Sequence, residues 1–119
     1  MEMANEKRYA ANVKYRRGGS EAEELAMYVA AMTDRQQEQV MTKVQRVILR
    51  AMQKLVTQRQ VECLELYYLR GCTYEQISRR LQVSSPSTAG TNILRGREKM
   101  RRVLSFAQEL LEASRDDKA

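Results

Sequence analysis

Residues 57–102 read TQRQVECLELYYLRGCTYEQISRRLQVSSPSTAGTNILRGREKMRR, and this stretch predicts three helices separated by short breaks. An apolar helix over 57–69 ends at a break in which Gly71 suits a left-handed cap. A second helix over 73–81 is followed by a polar turn and a Ser/Thr-rich helix with a basic end. A short helix, a tight turn and a polar helix are typical of a helix-turn-helix unit.

Helix starts of one chemical type recur along the chain. In each, a Ser or Thr is followed three residues later by Glu or Gln, which is the pattern of a capping box. The four matches are Ser20–Glu23, Thr33–Gln36, Thr57–Gln60 and Thr73–Gln76. They predict helices over 20–32, 33–56, 57–69 and 73–81. A further start at Ser85–Pro86 suits the Ser/Thr-rich helix, because proline is favoured at the first helical position.

The helix predicted over 33–56 carries an apolar stripe. Its members are Val40, Val44, Val47, Ile48, Ala51, Met52 and Leu55, which recur at helical spacing. We expect the stripe to pack on the domain's own core, because the later helices alone are too small to fold securely. Packing on a partner helix is the alternative.

The composition favours one all-α domain. The chain has 119 residues, with one proline, five glycines, no tryptophan and 6% aromatics. We predict a small helical domain with a C-terminal helix-turn-helix, winged-helix-like or similar, preceded by two N-terminal helices. The predicted divisions are a flexible basic arm (1–19), N-terminal helices on the core (20–56), the helix-turn-helix domain (57–112) and a frayed tail (113–119). After Pro86 the sequence allows one long helix or a pair kinked at Gly96.

The charge distribution suits a polyanionic partner, but it equally suits a soluble protein with ordinary charged helices, and charge alone does not separate the two. The net charge is +6, with basic residues concentrated at 7–17 and 79–102 and acidic residues at 21–24 and 109–117. Contacts to phosphate supply most nonspecific affinity for DNA. In the arm, Tyr9 and Tyr15 among basic residues predict either a DNA-contacting segment or an ordinary solvated tail.

The predicted helix-turn-helix supplies candidate contacts to double-stranded DNA. Small polar side chains at the start of the last helix allow close approach to base edges, Asn92 suits adenine, and the basic end suits phosphates. Ala89 and Ile93, four apart, are expected to face the core. The candidate DNA-binding residues are Thr73, Tyr74, Arg79, Arg80, Ser84, Ser85, Ser87, Thr88, Thr91, Asn92, Arg95, Arg97 and Lys99.

Other function classes have little support in the sequence. Without histidine, Cys63 and Cys72 cannot complete a usual zinc site, and we expect both to be reduced thiols. No catalytic cluster or phosphate loop is present, so we expect no enzyme, metal, cofactor or small-molecule substrate. Without a signal peptide or a membrane-length apolar run, the expected compartment is the cytoplasm.

Residues 57–84 resemble the start of region 4 of bacterial sigma factors. Members of that family commonly read Leu-Thr-x-Arg-Gln, then an apolar helix, then Gly-x-Thr/Ser-x-x-Glu-Ile-Ala. The resemblance implies that 57–69 is the leading helix, 73–81 the first DNA-binding helix and Ser87 onward the recognition helix. The sequence RGRE at 95–98 is similar to the basic end of that helix.

Three departures from the family pattern concern the recognition segment. Gln82 stands where the family often has glycine, and Ala89 and Ile93 arrive one residue late, as if a residue had been inserted near Ser85–Pro86. The family's common Ser-Arg in mid-helix appears here as Gly90–Thr91. The resemblance therefore implies the fold but does not transfer the target sequence.

The resemblance implies a DNA-binding transcription regulator with RNA polymerase as a second partner. Residues 1–56 do not resemble the promoter-melting domain, so a stand-alone region-4-like regulator is expected. The alternative is a helical interaction module that uses the 40–55 stripe or the acidic 109–117 end to bind polymerase or a second copy, as a homodimer.

Overall fold

The computed structural model describes residues 19–118, with side chains over 21–116, so the predicted basic arm with Tyr9 and Tyr15 lies outside the described residues except for Gly19. The described helices are α1 (Gly19–Thr33), α2 (Arg35–Gln39), α3 (Lys43–Leu55), α4 (Gln58–Tyr68), α5 (Tyr74–Leu81) and α6 (Pro86–Lys118). Residues 19–118 contain no strand. The all-α prediction is confirmed, and the winged-helix-like variant is wrong for this part of the chain because a wing needs strands.

Capping boxes begin α4 and α5 at the predicted residues. Thr57 Oγ1 accepts a hydrogen bond from the Gln60 N–H at 3.1 Å, and the Thr57 N–H donates to Gln60 Oε1 at 3.0 Å. Thr73 and Gln76 make the same pair of bonds at 3.2 and 2.9 Å. Each box satisfies two backbone donors that a helix start would otherwise leave unpaired. Between the two helices Gly71 has a φ of 68°, as predicted.

The prediction of one helix over 33–56 is wrong. Asp34, rather than Thr33, caps α2, and its Oδ1 accepts from the Gln36 N–H at 2.9 Å. The chain leaves the helix after Gln39, and α3 begins at a further capping box formed by Thr42. Three helices rather than two therefore precede the predicted helix-turn-helix domain, residues 57–112, in the described chain.

Side-chain hydrogen bonds account for this break. Thr42 and Gln45 exchange two bonds, of 3.1 and 2.9 Å, that a continuous helix could not make. Arg46 then donates to the carbonyl oxygens of Glu38 and Gln39, at 3.4 and 3.1 Å. The Arg46 guanidinium thus satisfies carbonyl groups at the C-terminal end of α2. A cation is also favoured there by the negative end of the helix dipole.

The apolar stripe does not form one core face. Met52 is buried, and Ile48 and Ala51 are half-buried. Four other members are between 47% and 81% exposed, namely Val40, Val44, Val47 and Leu55. The core takes Leu49 and Val56 from this region instead. The prediction that the whole stripe packs in the core is therefore wrong.

The long helix α6 is the centre of the packing. It lies against α3, α4 and α5, and α1 packs on α4 and α2. Ala89 and Ile93 are fully buried on α6, as predicted, together with Met100. Arg101 joins α6 to α1 through two hydrogen bonds to Glu21 Oε1, from Nε at 3.0 Å and from Nη2 at 2.6 Å.

Of the two arrangements left open after Pro86, the structure has the single helix. α6 continues past Gly96, where a Cβ atom would lie 2.8 Å from Leu64 Cδ1 and 3.3 Å from Gln60 Cβ. Glycine at this position lets α6 cross α4 closely. The helix extends to Lys118, through most of the tail predicted to fray. From Ser105 to residue 116 every side chain is exposed except half-buried Ala107.

Candidate nucleic-acid interface

A four-residue turn over 82–85 joins α5 to α6 and forms the helix-turn-helix. Gln82 adopts the left-handed conformation, with φ 55° and ψ 37°, and ends α5. The Val83 N–H donates to the Ser78 carbonyl oxygen at 3.1 Å. Arg59 reaches from α4 to the Leu81 carbonyl oxygen at 3.2 Å. The turn is thus stabilised by a hydrogen bond to the backbone of α5 and by a second one from Arg59 on α4.

Hydroxyl groups surround the first turn of α6. Ser85 Oγ accepts from the Thr88 N–H at 3.2 Å, so the predicted helix opening at Ser85–Pro86 is confirmed. Ser84 Oγ lies 2.9 Å from Thr88 Oγ1. These three side chains are held at the start of the predicted recognition helix, where the positive end of its dipole favours phosphate.

Three of the candidate residues form one outward face of α6. Ser87, Thr91 and Arg95 are spaced by four residues and all are exposed. The buried Ala89 and Ile93 lie on the opposite face. The Arg95 guanidinium makes no hydrogen bond or ion pair with another described residue. We call Ser87, Thr91 and Arg95 the reading face.

Leu94, which is not among the residues predicted from the sequence, borders this face. It is exposed although its type favours burial. An apolar side chain beside polar ones can contact a thymine methyl group in a DNA groove. The sequence signal for Leu94 is its position three residues after Thr91, which places it on the side of α6 away from Ile93.

Asn92 is turned back onto its own helix. Its Nδ2 donates to the Thr88 carbonyl oxygen at 3.0 Å, and its side chain is half-buried. A bidentate contact to adenine needs the amide free, so the side chain must change rotamer before it can make one.

Tyr74 and Thr73 serve the packing of α5 in the structure. Thr73 Oγ1 is the capping acceptor, and the ring of Tyr74 lies against Gly90. A Cβ atom at Gly90 would be 2.7 Å from Tyr74 Cε2. The Tyr74 ring also lies 5.9 Å from the Tyr67 ring. Gly90, which departs from the family pattern, thus leaves room for the Tyr74 ring between α5 and α6.

Two of the predicted basic contacts are engaged within the molecule. Arg97 Nε donates to Tyr68 Oη at 2.8 Å, and its Cζ lies 5.8 and 5.7 Å from the ring centroids of Tyr67 and Tyr68. Lys99 Nζ donates to the Leu55 carbonyl oxygen at 2.9 Å and to Gln60 Oε1 at 3.0 Å. The structure therefore does not place these two cations with the reading face.

The two arginines of α5 differ in their surroundings. Arg79 pairs with Glu75 one turn earlier, in an exposed contact of a kind that contributes little to stability. Arg80 is exposed, and its side chain has no hydrogen bond or ion pair with another described residue. Arg80 is the more available of the two for a phosphate.

Other kinds of site find little support in residues 19–118. Within that part of the chain, no three His, Cys, Asp or Glu side chains are grouped so that they could hold a metal ion. Cys63 and Cys72 are free thiols, as predicted, and both are buried. Burial raises the pKa of the Cys63 thiol. None of the described helices is both long enough and apolar enough to cross a membrane.

Comparison with known families agrees with this geometry. Residues 45–100 match the family model described as sigma-70, region 4. Searches of the curated proteins and of the solved structures found no significant match. The matched range includes most of α3, all of α4 and α5 and the buried half of α6. Region 4 is a helix-turn-helix domain with a role in transcription that involves DNA and RNA polymerase. Residues 45–100, a little under half of the chain, are therefore similar to a sigma-70 region 4 domain.

Proposed function

We propose that the chain binds double-stranded DNA in a sequence-specific manner and regulates transcription, with the first half of α6 as its recognition helix. The observation that carries the proposal is the reading face, which the structure leaves exposed on a helix matched to sigma-70 region 4. Hydroxyls allow close approach to base edges, and an arginine can make two hydrogen bonds to guanine.

Phosphate contacts would fix the helix in the groove. Arg80 on α5 and the hydroxyls of Ser84 and Ser85 at the start of α6 suit this role, because phosphate is favoured at a helix N-terminus. Arg102, which is exposed near the basic end of α6, can contact DNA phosphates farther along the duplex. Such contacts predict binding that weakens steeply as salt rises.

The experiment begins with selection of bound duplexes from a random pool, followed by affinity measurement on the selected sequence. Arg95→Glu is expected to lower affinity about tenfold or more, because a good base contact contributes 1–3 kcal/mol of discrimination. Arg35→Glu is the matched control, since it makes the same charge change at an exposed position on α2. Failure to select any sequence, or equal losses in both variants, would contradict the proposal.

RNA polymerase is the proposed second partner, and the family match supports it. Purified polymerase core should bind the immobilised chain in the absence of DNA. The Arg95→Glu variant should bind polymerase as well as the unaltered chain does, because that substitution targets the DNA surface. Loss of polymerase binding in that variant would indicate contact bridged by DNA.

A protein-interaction module is the second candidate function. The observation that favours it is the exposure of Val40, Val44, Val47 and Leu55, which the domain's own core does not cover. Contiguous exposed apolar side chains often mark a contact with another protein. In this alternative the helix-turn-helix is a scaffold, and charge reversal at Arg95 leaves function unchanged.

A further inference from the structure

We infer that two copies of this chain associate through two equal contacts, in each of which the end of α6 of one copy lies on α3 of the other. The inference concerns surfaces away from the reading face and does not rest on DNA binding. The exposed face of α3 in each copy binds the exposed end of α6 in the other copy.

The first surface is the acceptor face, formed by Val44, Val47 and Leu55 on α3. These side chains recur along one side of the helix, opposite the buried Leu49. A row of half- to mostly exposed aliphatic side chains on an otherwise packed helix is a surface that a second apolar helix can cover.

A basic edge borders the acceptor face. It consists of Lys43, Arg50 and Lys54, which are all exposed and whose side chains have no hydrogen bond or ion pair to another described residue. Lys43 and Arg50 lie four and three positions from Val47, so their side chains neighbour it on the helix surface. The acceptor face therefore favours an apolar partner that carries negative charge.

The second surface is the donor end of α6, formed by Phe106, Leu110 and Leu111. These side chains are 45% to 65% exposed on the part of the helix that extends beyond its contacts with the body. The donor end has an acidic ridge formed by Glu109, Glu112 and Asp116, which repeat at helical spacing. Glu109 lies three positions after Phe106 and so borders the apolar surface.

The two surfaces have similar lengths, both are apolar, and their bordering charges are opposite in sign. The 13 residues of α3 span about 20 Å, and the part of α6 after residue 104 has a similar length at about 1.5 Å per residue. Apolar contact would exclude water, while the basic edge and the acidic ridge attract each other. Because one chain carries both surfaces, a reciprocal exchange closes into a two-fold pair, whereas a one-way contact would extend into a filament.

The experiment measures the mass of the full chain in solution by sedimentation over a range of concentrations. Val47→Glu disrupts only the acceptor face and Leu110→Lys only the donor end, and each is expected to raise the dimer dissociation constant about tenfold or more. When the two variants are mixed, the intact donor end of one meets the intact acceptor face of the other. A mixed dimer should therefore form more tightly than either variant forms with itself.

Matched controls separate this effect from general damage. Leu94→Lys makes the same change as Leu110→Lys at a similarly exposed leucine of α6, 54% against 59%, outside the donor end. Gln53→Glu adds an acid to α3 away from the acceptor face. Both controls should dimerise like the unaltered chain, and all four variants should retain its helical circular dichroism, since the sites are exposed.

Reversal of the basic edge to glutamate should weaken the dimer, and simultaneous reversal of the acidic ridge to lysine should restore it. A monomer across the micromolar range would overturn the inference. A dimer unaffected by the single variants would do the same. A dimer that only one of the two variants breaks would indicate α3–α3 or α6–α6 pairing instead, and a dimer that both variants break but that mixing does not restore would equally contradict the reciprocal contact. Monomers that bind polymerase through Val47 would assign the acceptor face to another protein.

Discussion

Gln82 bends the chain between α5 and α6 in a backbone conformation that favours glycine. Its φ of 55° makes it the one non-glycine residue with positive φ in the described chain. A residue with a Cβ atom costs roughly 1–2 kcal/mol there. We expect Gln82→Gly to raise the free energy of unfolding by about 1 kcal/mol, measured by urea denaturation. Gln82→Ala keeps the Cβ atom and should show no such gain. An equal gain in both variants would mean that loss of the glutamine side chain, rather than relief of the backbone, is responsible.

Individual long-range contacts also decide where the cations at the basic end of α6 lie. The sequence predicted that Arg97 and Lys99 extend outward to phosphates, as consecutive charges on a helix commonly do. The structure turns Arg97 onto Tyr68 and Lys99 onto the Leu55 carbonyl oxygen. Those partners lie 29 and 44 positions away, so no local pattern could have indicated them. Arg95, which has no such partner, is the better test of DNA contact.

At the scale of helices, Gly96 sets how closely α6 crosses α4. A Cβ atom there would approach Leu64 Cδ1 to 2.8 Å, and Leu64 is fully buried. Helix propensity alone predicts that Gly96→Ala stabilises by about 1 kcal/mol, whereas overpacking costs typically 1–3 kcal/mol. We expect the clash to dominate and the free energy of unfolding to fall by about 1–2 kcal/mol. In a Leu64→Ala background the penalty should disappear, because the clashing atom is gone. A destabilisation of the same size in that background would show that the contact is not its cause.

Helix starts were predictable where a single capping box stood alone. Thr57 and Thr73 each find their partner three residues later, so the interaction is local and the sequence contains it. Between residues 33 and 45 the Thr33–Gln36 match obscured Asp34, and the box at Thr42–Gln45 was missed. An apolar period continues across that break, so periodicity predicted one continuous helix. Hydrogen bonds from Arg46 to the carbonyl oxygens of Glu38 and Gln39 instead stabilise two separate helices.

For the whole molecule, Tyr28 links stability to alkaline pH. Its side chain is 1% exposed in the core, and burial, with a further contribution from Glu24, raises its pKa to about 12. Below pH 10 the phenol is protonated in both states and contributes no pH dependence. Between about pH 10 and pH 12 the unfolded chain releases the proton and the folded chain keeps it, so the free energy of unfolding falls, by on the order of 2 kcal/mol in all. Denaturation at several pH values should show a shallower fall for Tyr28→Phe. Identical slopes would show that Tyr28 is not the group responsible.

Sequence alone determined the helical class, the helix-turn-helix within residues 57–112 and the buried pair Ala89 and Ile93. These depend on capping, glycine and periodicity, which act within a few residues along the chain. Tertiary structure decided which cations remain free, why Gly90 and Gly96 are glycines, and which side of α3 stays uncovered. Those properties depend on contacts between residues far apart in the chain. A period identifies an apolar face, but only the packed fold shows whether anything in the chain covers it.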